Sequence, residues 1–446
     1  MSKATNGRTK PSLIGELLVM AAPPLVVTLL TKDYASGSDT SHLALFLTFG
    51  LLESTWGGLF RLLTLNAARA VAGWLPGAVV PASHDEMLRQ EGEANDDSLS
   101  WPPPGDLEGL PPEWIADGYL DGCADSGESA GPPRSSNKKA RKGKRKPDKE
   151  IAKSSPRRPY HLNHVRGSTR IRHASQRLGA ALGTLFATSL LCSSSPLVSY
   201  EDMGLGLSSP RKAAGDLLYG FLVGSIAVIS IYAVELRRGW IRVISHWSTA
   251  APGEVFAINF LWDIIFHVSV SINEELFLRS WMFVLGCRGI ASSLIGQGYG
   301  AVAAVHFSIA ASTLLQSSFF SLMHYHSPGA SRESQINLFV GGVVGTFNVI
   351  ASGSIWLGIG WHFAWNIFMG HILGRSTSGI PMSCAVFDVI PRPGKSFERL
   401  HGGQFGPEQG VLAPWAYLIC AVLVAVLFGT QGMTEWRNKM VEDVLR

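Results

Sequence analysis

The sequence predicts an all-α, polytopic transmembrane helical bundle of about eight or nine spans, interrupted by a disordered polar insert. Three observations predict it. The chain of 446 residues is 46% hydrophobic and only 16% charged, against roughly 25% charged in an ordinary soluble domain. The charge is concentrated between Ser83 and Arg177, with long apolar runs on either side. Several of those runs approach the roughly 20 residues that span a bilayer core. The formal charge of +4 is small and gives no reason to expect a nucleic-acid partner.

The candidate spans are residues 12–31, 43–66, 178–195, 214–236, 255–287, 299–323, 335–350, 354–374 and 412–430. The first follows the basic segment MSKATNGRTK, and Pro23-Pro24 interrupts it. No small-residue cleavage site follows, so the run reads as a retained helix rather than a signal peptide. The 335–350 run is short, and its Gly341, Gly342 and Gly345 would let helices approach closely. Lys3, Arg8 and Lys10, then Arg61 and Arg69, then Arg237, Arg238 and Arg242 fall on one side if each span crosses once. The positive-inside rule makes that side, with the insert, cytoplasmic.

The insert is acidic and Pro-rich over 84–130 and strongly basic over 137–149, where it reads NKKARKGKRKPDK. Neither half has an apolar period, so neither buries enough surface to offset ordering entropy. The basic run is a candidate contact for anionic lipid headgroups, although a solvated linker is the plainer reading. The resulting division is an N-terminal pair of spans over 1–82, the insert over 83–177, a membrane-embedded core over 178–430 and a tail over 431–446. The five cysteines have no paired spacing and no CxxC, which argues against a zinc ribbon or a disulfide framework.

Ionisable residues inside spans are costly and usually functional. Three clusters stand out: Asn273-Glu274-Glu275-Leu276-Phe277-Leu278-Arg279, Phe320 with His324, and Trp361-His362-Phe363-Ala364-Trp365-Asn366. Glu275 and Arg279 are four apart and can pair on one helix face. Glu274 is offset from them by about 100°, which leaves one carboxylate structural and the other available as a general base. His362 and Asn366 are also four apart and offer two donors to one point, as a developing oxyanion requires. His324 adds an imidazole from another helix. Buried polar pairs also hold membrane helices together, and that is the plainer reading of any one cluster alone.

Taken in order, the motifs EExxxR, FxxxH and HxxxN resemble the CPBP intramembrane proteases, which include the CAAX prenyl endopeptidases and many bacterial relatives. The likeness covers roughly residues 200–410, with flanks such as HGGQFGPEQG that look like bacterial members. It implies a membrane peptidase in which Glu274 and His324 activate water while His362 and Asn366 stabilise the oxyanion, acting on a peptide or protein substrate at the bilayer. In a bacterium the location would be the inner membrane. Zinc held by Glu274, His324 and His362 is the alternative to a metal-free site. A silent scaffold or regulator, or a transporter, is the alternative to an enzyme, although no motif residue is missing and no repeated halves are found. Among the remaining polar residues, Asp263 and His267 read as a satisfied polar pair and His371 as a packing or boundary residue. His326 reads as interfacial, and His401 and Glu408 as structural or gating.

Overall fold

The computed structural model describes Leu52 and residues 55–61, 63–68, 167–195, 198–206, 209–250 and 253–445. The 12–31 span and the basic run 137–149 lie outside the described residues, as do most of the insert and Cys123. Residues 55–61 and 63–68 are helical, overlapping the end of the second expected span, 43–66.

The rest is built from nine helices among the described residues: α1 (Gly167–Ser194), α2 (Pro210–Arg237), α3 (Phe256–Glu275), α4 (Gly286–Gly296), α5 (Ala301–Met323), α6 (Arg332–Ser352), α7 (Trp356–Ile367), α8 (Lys395–His401) and α9 (Ala413–Leu445). The stretch Leu276–Leu285 joins α3 to α4 as a π-helix, and Phe368–Ile372 extends α7 the same way. Five helical stretches are long and apolar enough to cross a membrane: α2, the continuous Phe256–Gly296, α5, α6 and α9. The expected crossings over 178–195 and 354–374 correspond to α1 and α7, which are not among the five.

Two further boundaries differ from the sequence reading. Helix α1 begins at Gly167, ten residues before the expected end of the insert, and Arg170 within it is buried. The reason is a distant partner, since the Arg170 guanidinium lies 2.6 Å from Asp263 of α3. The segment set aside as a tail over 431–446 continues as helix to Leu445, after a break at Gly429.

The all-α expectation also needs correction. Strands β1 (Ile241–Thr249) and β2 (Cys384–Pro391) form an antiparallel pair, with Ile241 opposite Pro391 and Thr249 opposite Cys384. Residues 241–249 alternate only loosely between buried and exposed. Their ladder partner is more than 130 residues away, so no hairpin turn announces it in the sequence.

Small residues bring the helices together. A methyl group at Gly220 would lie 2.0 Å from the Leu357 carbonyl oxygen, and one at Gly360 would lie 2.0 Å from that of Leu217. Helices α2 and α7 therefore cross with their backbones almost touching, as small residues permit in membrane bundles. One core cluster lies along that crossing and α9 and includes Val223, Val228, Trp361, Trp365 and Tyr417. A second joins Leu276, Trp281, Phe283 and Val305 to Met440 near the C-terminus.

Candidate active site

Helix α3 delivers Glu274 and Glu275 in its last turn, and Arg279 follows in the π-helical stretch. π-helical turns are rare and recur at functional sites. Glu275 Oε1 lies 3.3 Å from Arg279 Nη1, and both side chains are fully buried. Two glycines make room for the pair. A methyl group at Gly345 would meet Arg279 Nη2 at 2.4 Å, and one at Gly358 would meet Glu275 Oε2 at 2.7 Å. The guanidinium also lies over the Phe320 ring, 5.0 Å from its centroid.

Glu275 has a second partner that the spacing did not reveal. His362 Nδ1 lies 2.9 Å from Glu275 Oε1. A ring nitrogen facing a carboxylate carries the proton, so Nδ1–H donates to Glu275 and Nε2 points away. That Nε2 is 3.9 Å from Glu274 Oε2. His324 ends α5, where its Nδ1 lies 2.9 Å from the Phe320 carbonyl oxygen. The same logic fixes its tautomer, with Nδ1–H donating to the carbonyl. Its ring also meets Phe320 edge to face at 5.1 Å.

Glu274, His324, His362 and Asn366 all line one cavity of about 140 Å³, and so does Arg279. Glu275 does not line it; its Oε1 faces both Arg279 and His362. The six motif residues therefore divide into a cavity group and a single buried carboxylate behind it.

The segment that carries all six is the one a family comparison matches. Residues 256–368 match the family described as Rce1-like: Type II CAAX prenyl endopeptidase Rce1-like. These residues form an Rce1-like domain of the CPBP family. Rce1-like proteins are integral membrane proteins, in keeping with the apolar helices of this chain. No curated protein and no solved structure matches the chain.

The Rce1-like domain ends before several residues that close the cavity. Glu408 lines it from the loop before α9. Its Oε1 accepts from Trp365 Nε1 at 3.0 Å, and its Oε2 accepts from the Ser378 amide at 2.6 Å and hydroxyl at 2.7 Å. Arg177 of α1 also lines the cavity. The sequence reading placed Arg177 at the edge of the insert and gave it no role. Its signal was the Arg170/Arg177 spacing of seven at the start of an apolar run.

Asp263 and His267 are not paired directly, contrary to expectation. Asp263 binds Arg170 at 2.6 Å, accepts from Ser383 Oγ at 2.5 Å and lies 3.0 Å from His371 Nδ1. His371 Nε2 then meets His267 Nε2 at 2.9 Å. His371 is thus the link between the two residues. The π-helical extension of α7 puts it there, and it does not reach the cavity as His362 does. His401, at the end of α8, donates from Nε2 to the Arg392 carbonyl at 2.8 Å and accepts the Gly403 amide at 3.2 Å. Burial and the Arg375 guanidinium push its pKa down to about 3. His326 is exposed at the α5–α6 turn.

Zinc is held by donors about 2.0–2.3 Å from the ion, which requires ligand atoms close to one another. Among the described residues the close trio of metal-capable atoms belongs to Asp263, His371 and Cys384, not to Glu274, His324 and His362. The close trio is itself unsuited to a cation. Arg170 already neutralises Asp263, and burial and then Asp263 push the Cys384 thiol up, whereas a metal takes the thiolate. Within the Glu274 trio, His362 Nε2 lies 3.9 Å from Glu274 Oε2, and the three side chains do not form such a close group.

Proposed function

We propose that this chain is an intramembrane endopeptidase that hydrolyses a peptide bond of a protein or peptide substrate near the membrane surface, without a metal. The observation that carries the reading is the convergence of Glu274, His324, His362 and Asn366, from three helices, on one cavity. Glu274 takes a proton from a water molecule, and the water oxygen attacks the scissile carbonyl carbon. His324, its ring fixed by the Phe320 carbonyl, is the second acid–base group. The new oxyanion accepts hydrogen bonds from His362 Nε2–H and the Asn366 amide. With Nδ1–H donated to Glu275, His362 offers Nε2–H as the imidazolium, whose charge Glu275 and Glu274 compensate. The tetrahedral carbon then expels the amine, which leaves with the proton held by Glu274 or His324.

Electrostatic stabilisation of the oxyanion by placed donors is commonly the largest single contribution to such catalysis. Arg279 supports it indirectly by holding Glu275, which holds His362. A silent scaffold would keep the bundle but would not need Glu274 open to a cavity.

The test is incubation of the purified full chain in detergent with a peptide library, comparing wild type with Glu274→Ala, alongside elemental analysis of the active protein. Cleavage by wild type alone, with no stoichiometric metal, is the expected result. Near-stoichiometric zinc, with activity lost to a chelator and restored by zinc, would sink the metal-free mechanism. Equal cleavage by both proteins would sink the assignment of Glu274.

A further inference from the structure

Two of the three arginines of α1, Arg170 and Arg177, differ in what they meet. Arg170 and Arg177 are seven residues apart, about two turns or ~10.5 Å along the helix and nearly on one face. Arg170 is buried and bound to Asp263. Arg177 is exposed, lines the cavity, and makes no hydrogen bond or ion pair among the described residues.

The other charges around the cavity have partners. Arg279 is held by Glu275 and covers Phe320. Glu408 receives three donors from Trp365 and Ser378. Glu274 faces His362. A guanidinium on the cavity wall without an anion of its own offers two parallel donors of the kind that match a carboxylate. Among the described residues no carboxylate is paired with it.

We infer that Arg177 is a specificity residue that binds a carboxylate of the peptide substrate, from either its C-terminus or an acidic side chain near the scissile bond. The inference rests on the peptidase reading above and adds the chemistry of the substrate to it. A charge-assisted hydrogen bond of this kind corresponds to about tenfold to hundredfold in affinity. Because Arg177 is exposed, the preference should shrink as salt screens it.

The experiment uses fluorescently labelled peptides, each sequence offered in three forms: amidated and without acidic residues, amidated with one Glu, and with a free C-terminal carboxylate. Binding to the full chain carrying Glu274→Ala is read by anisotropy, with and without Arg177→Gln or Arg177→Lys. Cleavage is read on the corresponding proteins with Glu274 intact. The expected result is that one charged form binds about tenfold or more tighter than the neutral one. Arg177→Gln should abolish that preference while leaving the neutral peptide unchanged, and Arg177→Lys should keep part of it. The preferred form identifies the source of the carboxylate. If no form binds, if the three forms bind alike, or if Arg177→Gln weakens all three equally, the assignment is overturned. If the preference is present and depends on Arg177 but wild type cleaves nothing, the peptidase reading fails while the carboxylate site stands.

Discussion

Two buried constellations in this protein are built from the same parts. In each, α3 supplies a carboxylate, an arginine neutralises it, and a histidine from α7 or its extension places Nδ1 within 3.0 Å of it, although His371 Nδ1 also meets the Cys384 carbonyl oxygen at 3.0 Å. The first is Arg279–Glu275–His362 and the second is Arg170–Asp263–His371. What differs is the far side of the imidazole. His362 Nε2 faces Glu274 on a cavity wall, whereas His371 Nε2 faces a second imidazole, and Ser383 and Cys384 close over Asp263. An ion-paired triad is therefore not a functional signature by itself. The first triad opens directly onto the cavity beside Glu274, whereas the second reaches its wall only through His267.

The comparison breaks most sharply under substitution of the cavity residues. Glu274→Ala, His324→Ala and His362→Ala should each abolish cleavage while the protein stays monodisperse in detergent, as judged by peptide turnover and size-exclusion elution. Asn366→Ala should cost about 10²–10³ in rate, as for loss of one oxyanion donor, with little change in KM. If Asn366→Ala turns over like wild type, the oxyanion assignment is wrong.

The second triad should answer in stability rather than rate. Asp263→Ala leaves Arg170 buried without its partner, a change that typically costs about 3–5 kcal/mol. A thermal melt should show the loss, and the fraction that remains folded should keep its turnover per site. A collapse of kcat at unchanged melting temperature would make the two triads functionally alike.

A smaller effect is expected at Gly358. A methyl group there meets Glu275 Oε2 at 2.7 Å, and overpacking of this kind costs about 1–3 kcal/mol. Because Glu275 holds His362, Gly358→Ala should lower kcat more than it lowers the melting temperature.

The smallest effect concerns pH. His401 has an ordinary pKa of 6.5, and in the fold it falls to about 3. Below about pH 6.5 the unfolded chain takes up a proton that the folded chain refuses. His401 therefore favours the folded state fully above that pH and progressively less as pH falls toward 3. The slope is at most about 1.4 kcal/mol per pH unit. His401→Asn should flatten the pH dependence of the melting temperature between 6.5 and 4; an unchanged slope would show that the ring is not responsible.

The catalytic candidates were legible because a Glu, His or Asn is costly to keep in an apolar run, and helical spacing correctly paired Glu275 with Arg279. The sequence could not reveal the bond from Glu275 to His362, which joins residues 87 apart. His371 was hidden for a related reason. Its partners are Asp263 on α3 and the start of β2, and a π-helical turn breaks the regular period by which its face was judged. Arg170 and Arg177 sat in what composition marked as insert, because charge alone does not distinguish a solvated arginine from one awaiting a distant carboxylate. The strands β1 and β2 lacked any local turn to announce them.

The break in α9 has a practical consequence for anyone editing the C-terminus. Gly429 adopts φ +60°, a conformation glycine reaches without steric cost, and the helix resumes beyond it. Trp436 then stacks on Phe283 at 5.5 Å, and Asp443 meets the buried Arg288 at 2.5 Å. A stop codon at position 430 would strip a wall from the bundle and take the Asp443 carboxylate from Arg288.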